Sequence, residues 1–233
     1  MSPITEPFEA HTDRYEEWFE RYEPVYRAEL AALDRLIDAG GESDADGGGS
    51  DAGEHDESGD VGVEVGVGTG RFAEPLGIEY GVDPSLEMLQ RARRRGVEVV
   101  GGVAEALPLA DDSVDLALLV TTVCFVDDLA ETFAEARRVL RPDGRVVLGY
   151  VDSESPVGRQ YRELQDENPF YRDATFVSTD ELREVLSRAG FRDFRFVQTV
   201  FDRIEEIGPD EPVRDGYGEG SFVGLAARTP PRN

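Results

Sequence analysis

The chain has 233 residues, of which 39% are hydrophobic, and this is enough for one α/β domain with a complete core. It contains no apolar run near the roughly 20 residues that span a bilayer and no N-terminal signal peptide. We therefore expect a cytoplasmic protein that does not bind membranes. Cys124 is the only cysteine, which excludes intramolecular disulfides and cysteine-rich metal sites, and we predict no metal site.

The net charge is −26, from 50 acidic and 24 basic residues, and every basic residue is arginine. Repulsion among so many carboxylates weakens a compact state at low ionic strength, and salt screens it. We therefore expect a halophilic protein from a haloarchaeal cytoplasm at molar salt. The alternative is an acidic mesophilic protein from a GC-rich genome. Without a basic stripe on the chain, we expect no nucleic-acid partner.

The residue types that are missing exclude several kinds of chemistry. A chain without lysine has no Walker-type phosphate lysine, no Schiff-base lysine and no Tyr-x-x-x-Lys pair of short-chain dehydrogenases. His11 and His55 are the only histidines, and neither lies in the predicted core. Ser-His-Asp hydrolysis and histidine-ligated metal chemistry therefore have little support.

The first 60 residues divide into a helical part and a polar part. Residues 8–37 have helical patterning that Pro24 divides in two. One face is aromatic and fits either a core or a lid over a ligand: Tyr15, Trp18, Phe19 and Tyr22. We predict a helical lid segment over residues 1–40. Residues 41–60 hold no aromatic and no basic residue, a composition that predicts an acidic disordered linker in which His55 is exposed.

A glycine-rich turn follows the first predicted strand, residues 61–65. Its glycines have the spacing Gly66-x-Gly68-x-Gly70, and residues 71–76 look like the start of a short helix. A strand, a glycine turn and a helix N-terminus in this order bind nucleotide-like ligands, because glycines let backbone N–H groups approach closely. The candidate contacts are Gly66, Val67, Gly68, Thr69 and Gly70. The spacing differs from the Gly-x-Gly-x-x-Gly of dinucleotide enzymes, and a tight connection without a ligand is the alternative.

From residue 61 onward the pattern alternates between strand and helix. The predicted strands cover residues 61–65, 78–82, 97–100, 114–120, 145–151, 191–201 and 221–227. The predicted helices cover residues 84–95, 129–140 and 179–189, and a turn at 141–144 ends the second. Successive strand–helix units predict an α/β fold with a mostly parallel seven-stranded sheet and helices on both faces. The last two strands have no helix between them, so we expect them to pair antiparallel within a domain of residues 61–228.

Candidate binding residues fall at the ends of four strands, where ligands bind in such sheets. Glu64 precedes the glycine turn, and Asp83 follows nineteen positions later with Pro84 beside it. An acidic residue at the end of the second strand is placed to bind both ribose hydroxyls. Its alternative role is to favour the dipole of the helix that follows. The remaining strand ends contribute Ala104, Glu105 and Thr121.

The motifs together resemble those of class I S-adenosylmethionine-dependent methyltransferases of the ubiquinone/menaquinone-methyltransferase-like, small-molecule type. Residues 63–70 (VEVGVGTG) are similar to that family's first motif, and 81–85 (GVDPS) to its ribose motif. Residues 104–108 (AEALP) with 111–115 (DDSVD) resemble its adenine motif, and 137–145 (RRVLRPDGR) its helix–turn–strand signature. The match covers about residues 61–151. It implies the Rossmann-like class I methyltransferase fold, S-adenosylmethionine (SAM) as cofactor and a small-molecule substrate.

The resemblance also implies a role for each matching residue. Glu64 orients the methionine end of the cofactor, the backbone at the three glycines contacts its amino-acid and ribose parts, and Asp83 holds the ribose hydroxyls. The backbone N–H of Ala104 meets the adenine ring. Many relatives have aspartate before this Ala-Glu pair, where this chain has Val103. Either Glu105 replaces that aspartate, or backbone and packing hold the adenine.

The expected reaction is in-line displacement at the sulfonium methyl, for which alignment matters most and a general base is optional. The candidate bases are Asp127, Asp152, Tyr15, Tyr150, Tyr171 and Glu219, and the sequence identifies none of them as catalytic. Cys124 lacks the preceding proline of cytosine-C5 enzymes and is expected to be a buried apolar residue. We expect residues 152–177 to form a substrate-side insertion. Its aromatic residues would line a pocket with Tyr15 and Trp18: Tyr161, Phe170, Tyr171 and Phe176.

Two other functions remain open at this point. One is an NAD-dependent oxidoreductase, against which the glycine spacing and the missing lysine count. The other is a non-catalytic cofactor-binding protein on a methyltransferase scaffold, against which the intact motifs count. The oligomeric state is not encoded in any pattern that we recognise.

Overall fold

The computed structural model describes residues 5–38, 60–163, 165, 170, 172 and 174–231. Asp60 is the one residue of the predicted linker that the structure describes. His55, in that linker, and Tyr171 lie outside the described residues. The described strands are β1 Gly62–Val65, β2 Tyr80–Asp83, β3 Glu98–Gly101, β4 Val114–Val120, β5 Leu140–Val151, β6 Arg192–Thr199, β7 Arg214–Asp215 and β8 Phe222–Arg228. The described helices are α1 Glu6–Ala10, α2 Thr12–Arg21, α3 Glu23–Asp38, α4 Leu86–Arg94, α5 Leu129–Val139, α6 Pro156–Glu163 and α7 Thr179–Arg188.

All eight strands join one sheet in the order β3-β2-β1-β4-β5-β8-β6-β7. The pairs from β3 to β5 are parallel, whereas β8 pairs antiparallel with both β5 and β6. This confirms the predicted mostly parallel sheet with an antiparallel end. The two-residue β7 adds an eighth strand that the sequence pattern did not predict.

Strand β4 shows why the sheet is covered on both faces. Its side chains alternate between two cores, as the two-residue period of a strand requires. Ala117 and Leu119 pack in a core with α5 and α7. Leu116 and Leu118 pack in the opposite core with α2, α3 and α4. The continuous apolar run of β4 predicted a strand buried on both faces, and β4 is buried in this way in the structure.

Local capping explains where α4 and α7 begin. The Ser85 hydroxyl accepts a hydrogen bond from the Met88 N–H, so α4 begins at Leu86 rather than at the predicted residue 84. Ser178 and Glu181 form a capping box at the start of α7, which begins at the predicted residue 179. The break before Pro24 separates α2 from α3.

Two predicted features have another conformation. Residues 71–76 form turns instead of the start of a helix, and Gly77 closes them with a φ of +67°. The predicted turn at 141–144 lies within β5, because Val114 pairs with Leu140 while Leu116 pairs with Arg145. The residues between these partners form an irregularity in the strand, where Asp143 has a φ of +61°.

Candidate functional site: a cofactor cavity and an adjoining aromatic cavity

The glycine turn after β1 depends on the absence of side chains at two positions. Gly66 has a φ of +75°, and a Cβ added there would lie 2.3 Å from the Thr122 Oγ1. Gly68 has a φ of +51°, and its added Cβ would lie 3.4 Å from the Tyr15 hydroxyl. Both conformations are ones that residues with a Cβ rarely adopt, so glycine at each position permits the turn.

Asp83 at the end of β2 ties that turn to the neighbouring strand. Its Oδ2 accepts a hydrogen bond from the Gly68 N–H at 2.9 Å, and its Oδ1 accepts one from the Ser85 N–H at 2.8 Å. The side chain is buried, and this burial raises its pKa, assisted by the charge of Glu9 and opposed by the two backbone hydrogen bonds. Each carboxylate oxygen keeps further acceptor capacity for a ligand hydroxyl.

Glu64 is a buried carboxyl group beside the turn. Burial raises its pKa well above the usual range, and the nearby charge of Asp83 raises it further. Among the described residues nothing donates to its Oε2. Such an atom is costly to bury unless a ligand group supplies the missing partner.

A cavity of about 380 Å³ lies at the carboxyl ends of β1, β2 and β4. The predicted site residues that line it are Gly66, Gly68, Asp83, Pro84, Ala104, Glu105 and Thr121. Val67, Thr69 and Gly70 are not among the residues that line it. An added Cβ at Gly70 would lie 3.1 Å from the Ala92 Cα, so this glycine lets α4 pack closely. The contribution of these three residues and of Glu64 to ligand binding stays a prediction.

The far end of this cavity is formed by residues 103–105. Val103 lines it in place of the aspartate of many relatives. The Glu105 Oε1 accepts hydrogen bonds from the backbone N–H of Asp127 at 2.6 Å and of Asp128 at 3.3 Å, so this carboxylate holds the segment after β4. Within the described ranges no acceptor is recorded for the Ala104 N–H. The geometry thus favours backbone and packing over the Glu105 carboxylate at this end.

The N-terminal helices close the cavity from above. The Phe8 ring lies 5.1 Å from the Phe125 ring, measured between centroids, and both line the cavity. Glu16 anchors α2, because its carboxylate pairs with Arg71 at 2.5 Å and with Arg95 at 2.6 Å. Burial acts to raise the pKa of Glu16, but hydrogen bonds led by that from Arg95 lower it overall.

A second cavity, of about 500 Å³, adjoins the first. The two share four lining residues: Phe8, Tyr15, Thr121 and Phe125. Its other walls are mainly apolar, and their aromatic members are Trp18, Phe19, Tyr22, Phe72, Tyr161, Phe170 and Phe222. Of the residues expected to form the substrate pocket, Tyr15, Trp18, Tyr161 and Phe170 line it, whereas Phe176 packs behind Tyr161.

The structure separates the candidate general bases. The Tyr150 hydroxyl donates to the Thr179 Oγ1, which donates to the Asp152 carboxylate, and this buried network lies off both cavities. Glu219 is exposed beside Arg214, and Tyr171 lies outside the described residues. Asp127 lines the first cavity and Tyr15 lines both.

Burial and the charges of Glu64 and Asp83 raise the pKa of Tyr15 above its usual range. Its hydroxyl therefore stays protonated at neutral pH and acts as a hydrogen-bond donor. Cys124 donates from Sγ to the Thr121 carbonyl oxygen, and burial raises the pKa of its thiol to about 12. The raised pKa keeps the thiol protonated at neutral pH, which disfavours a role as nucleophile.

The sequence did not single out Glu29, which lines the second cavity. This residue is only 6% exposed, and burial raises its pKa to about 8. A signal was present, since Glu29 lies on the apolar face of α3 with Val25, Leu33 and Leu36. Within the described ranges, no helix has the length and hydropathy to span a bilayer, and no three metal-ligating side chains converge.

The chemical groups around the first cavity suit SAM. It offers a glycine turn, a carboxylate with acceptor capacity for a diol, and an apolar end with a backbone donor. The Oε2 of Glu64, which lacks a donor, fits a positively charged amino group. Residues 63–148 match the family model described as a methyltransferase domain.

The chain is similar to proteins over nearly its whole length. An uncharacterized protein of Methanocaldococcus jannaschii is 36% identical over 220 residues, which cover 94% of this chain and 97% of that one. A malonyl-[acyl-carrier protein] O-methyltransferase of Geobacter sulfurreducens is 35% identical over 192 residues, and the match covers 71% of this chain and 70% of that protein.

The crystal structure of a Thermotoga maritima SAM-dependent methyltransferase, described as a possible histamine N-methyltransferase, superposes with a TM-score of 0.86. The two sequences are 42% identical, and the superposition covers 97% of this chain and 100% of the Thermotoga maritima chain. SAM is thus the cofactor and the protein is an enzyme, which sets aside the oxidoreductase and non-catalytic alternatives. With this fold, this cavity and these relatives, the chain belongs to the class I SAM-dependent methyltransferases.

Proposed function

We propose that the enzyme transfers the methyl group to a small, partly apolar molecule bound in the second cavity. The observation that carries this proposal is the shared wall of Phe8, Tyr15, Thr121 and Phe125, which makes the two cavities adjoin. An acceptor in the aromatic cavity would face the reactive end of the cofactor across these residues. The small-molecule, ubiquinone/menaquinone-like type is the subgroup that the sequence motifs support.

The residues of the first cavity are proposed to hold the cofactor in a fixed orientation. Asp83 would accept hydrogen bonds from the ribose hydroxyls, and the Ala104 N–H would meet the adenine. Gly66 and Gly68 would let the backbone approach the methionine and ribose parts, and Glu64 would pair with the amino group. In support, the Asp83 carboxylate, the glycine turn and the Ala104 amide line one cavity.

When bound, SAM supplies an electrophilic methyl group on a sulfonium. The chain then has to align the acceptor, exclude water and orient polar groups. Tyr15 stands at the junction of the cavities with a protonated hydroxyl, so it would donate a hydrogen bond rather than take a proton. A dedicated general base is not required, because the acceptor can lose its proton to water.

Two segments of the chain are proposed to enclose the acceptor. Residues 1–40 would act as a lid, since Phe8, Tyr15 and Trp18 form one wall of the second cavity. Residues 152–177 would act as the substrate-side insertion, since Tyr161 and Phe170 form another wall. Residues 41–60 would link the lid to the domain of residues 61–228, a proposal that rests on composition alone.

The proposed setting is a haloarchaeal cytoplasm. The net charge of −26 supports it, because dense surface carboxylates are compatible with a compact state when salt screens them. The same charge opposes binding to a nucleic-acid backbone and favours a small acceptor. The names of two relatives mention malonyl-[acyl-carrier protein] and, as a possibility, histamine, so the relatives do not share one acceptor.

The test is a two-step experiment at high salt. Calorimetry with SAM and with NAD should give binding of SAM only. A cell extract is then incubated with methyl-labelled SAM, with and without enzyme, and the labelled product is identified. A labelled small molecule that depends on the enzyme supports the proposal. Label found in nucleic acid or protein instead would refute the small-molecule acceptor.

A further inference from the structure

Glu29 is a buried acid that faces a ligand cavity. Its side chain is 6% exposed and forms part of the wall of the second cavity. Val25, one turn earlier on α3, lines the same cavity, and so does Tyr22 just before α3 begins. The carboxyl group is thus held on a rigid element, α3, and directed at the space proposed for the acceptor.

Nothing in the described part of the chain compensates this carboxyl group. Burial alone raises its pKa to about 8, with no hydrogen bond or cation acting on it. An unpaired buried carboxyl group destabilises the fold, and a leucine would pack on the same apolar face at lower cost. Perturbed acids in cavities are typical of functional sites.

The other charged and titratable groups of this cavity are otherwise engaged or neutral. The Arg14 Cζ lies 5.8 Å from the centroid of the Phe170 ring, and the Arg21 Cζ lies 5.2 Å from the centroid of the Tyr22 ring. Glu17 is exposed, and the remaining groups are the tyrosines Tyr15, Tyr22 and Tyr161. None of these lowers the pKa of Glu29, although the charge of Glu29 contributes to the raised pKa of Tyr15. The missing partner of Glu29 is therefore expected to arrive with a ligand.

We propose that Glu29 is the acceptor-recognition residue, and that its carboxylate binds the ammonium group of a small amine with an aromatic or apolar body. This inference rests on the proposed function, because it assigns the acceptor of the same site. An anionic acceptor would be repelled by the ionised form of Glu29, and a neutral alcohol would form no ion pair with it. An ammonium group satisfies the carboxylate, and the aromatic walls add cation–π attraction.

The proposal has a consequence for proton binding. In the free enzyme at pH 7 the Glu29 carboxyl is mostly protonated, since its pKa is about 8. An ammonium group binds the ionised form, so binding should release close to one proton to the buffer. A neutral ligand of the same shape should release none. Affinity for the amine should also rise as the pH approaches 8.

The experiment uses the full chain saturated with S-adenosylhomocysteine, at molar KCl and pH 7. Calorimetry measures binding of 2-phenylethylamine, tryptamine and hexylamine, with 2-phenylethanol as the neutral counterpart, in buffers of different ionisation enthalpy. Glu29→Gln keeps the shape and removes the charge. Asp34→Asn, on the exposed face of the same helix, is the matched control.

The expected result is amine binding with proton release in the wild type and in Asp34→Asn. In Glu29→Gln, amine affinity should fall at least about tenfold and proton release should vanish, while affinity for 2-phenylethanol stays the same. Equal amine affinity in wild type and Glu29→Gln would overturn the inference. So would tighter binding of the alcohol, or no amine binding at millimolar concentration. Binding of S-adenosylhomocysteine in all variants shows that they are folded, and its loss in the wild type would instead refute the proposed function.

Discussion

The Asp83 carboxylate accepts a hydrogen bond from the Gly68 N–H at 2.9 Å, so the residue that ends β2 also holds the turn that follows β1. The second oxygen accepts from the Ser85 N–H, which positions the start of α4. One buried side chain thus fixes two backbone segments that line the first cavity. We therefore expect a substitution of Asp83 to change cofactor affinity both through the proposed direct contact and through the shape of the turn.

Replacing Asp83 with asparagine should weaken SAM binding about tenfold to a hundredfold. The amide oxygen can accept from only one of the two backbone N–H groups, and its NH₂ group then opposes the other. Calorimetry with SAM measures the loss. Asp202→Asn, at an exposed position, should bind SAM as the wild type does. Retained affinity in Asp83→Asn and in Asp83→Ala would exclude Asp83 from the site.

Gly68→Ala tests the glycine turn, and Gly77→Ala is its matched control. Both glycines have a positive φ, but a Cβ at Gly68 meets the Tyr15 hydroxyl, whereas one at Gly77 meets nothing within 4 Å. Each alanine should lower the free energy of unfolding by about 1–2 kcal/mol through backbone strain. Only Gly68→Ala should also raise the Kd for SAM, by about tenfold or more. Equal SAM affinity in both variants would show that the turn does not contact the cofactor.

The direction of the strands was predictable because strand and helix patterns alternate along the chain up to the last two strands, which have no helix between them. The position of Asp83 was predictable for the same reason, since parallel strands bring their carboxyl ends to one edge of the sheet. Residues 71–76 were misassigned because helical composition there competes with Gly77, whose left-handed φ closes a turn. A prediction from local pattern does not register that competition.

The roles of single acidic residues were harder to predict, because they depend on contacts distant in sequence. Asp152 looked like a candidate base, yet Thr179, 27 positions later, donates to it and keeps it in a structural network. Glu105 is held by the segment that follows β4. Glu29 was absorbed into a helical pattern, although an acid on an apolar face was itself a visible exception. The structure is needed to see that Glu29 on α3 lines the second cavity.

Glu16→Gln should loosen the N-terminal helices from the cofactor domain. The substitution removes the charge that pairs with Arg71 and Arg95 in a mostly buried setting, at a cost of about 1–3 kcal/mol. Limited proteolysis before α3 should be faster, and SAM should protect less. Glu20→Gln, exposed on the same helix, is the control. If both variants are cleaved at the wild-type rate, the ion pairs of Glu16 with Arg71 and Arg95 do not anchor α2.

Glu29→Gln should make the enzyme more stable, increasingly so as the pH rises. The carboxyl pKa is raised from 4.5 to about 8 by burial, so the folded state keeps a proton that the unfolded state loses. Below about pH 4.5 both states are protonated; between 4.5 and 8 wild-type stability falls by up to about 1.4 kcal/mol per pH unit. Thermal melts of both proteins from pH 5 to 9 measure the difference, which should level off above pH 8. Asp34→Asn should show no such trend, and parallel curves for wild type and Glu29→Gln would contradict the buried ionisation.

Salt should stabilise the protein strongly if its acidic surface is an adaptation to molar salt. The Debye length falls from about 10 Å at 0.1 M to about 3 Å at 1 M, so repulsion within a net charge of −26 is screened over this range. The Tm should rise steeply with KCl and then flatten.

Replacing the exposed acids Glu20, Asp34 and Asp202 by lysine raises the net charge by two units per site. This variant should be more stable than the wild type at low salt and nearly equal to it at high salt, because screening removes the advantage. A Tm that is flat or falls with KCl would remove the physical basis for the halophilic assignment.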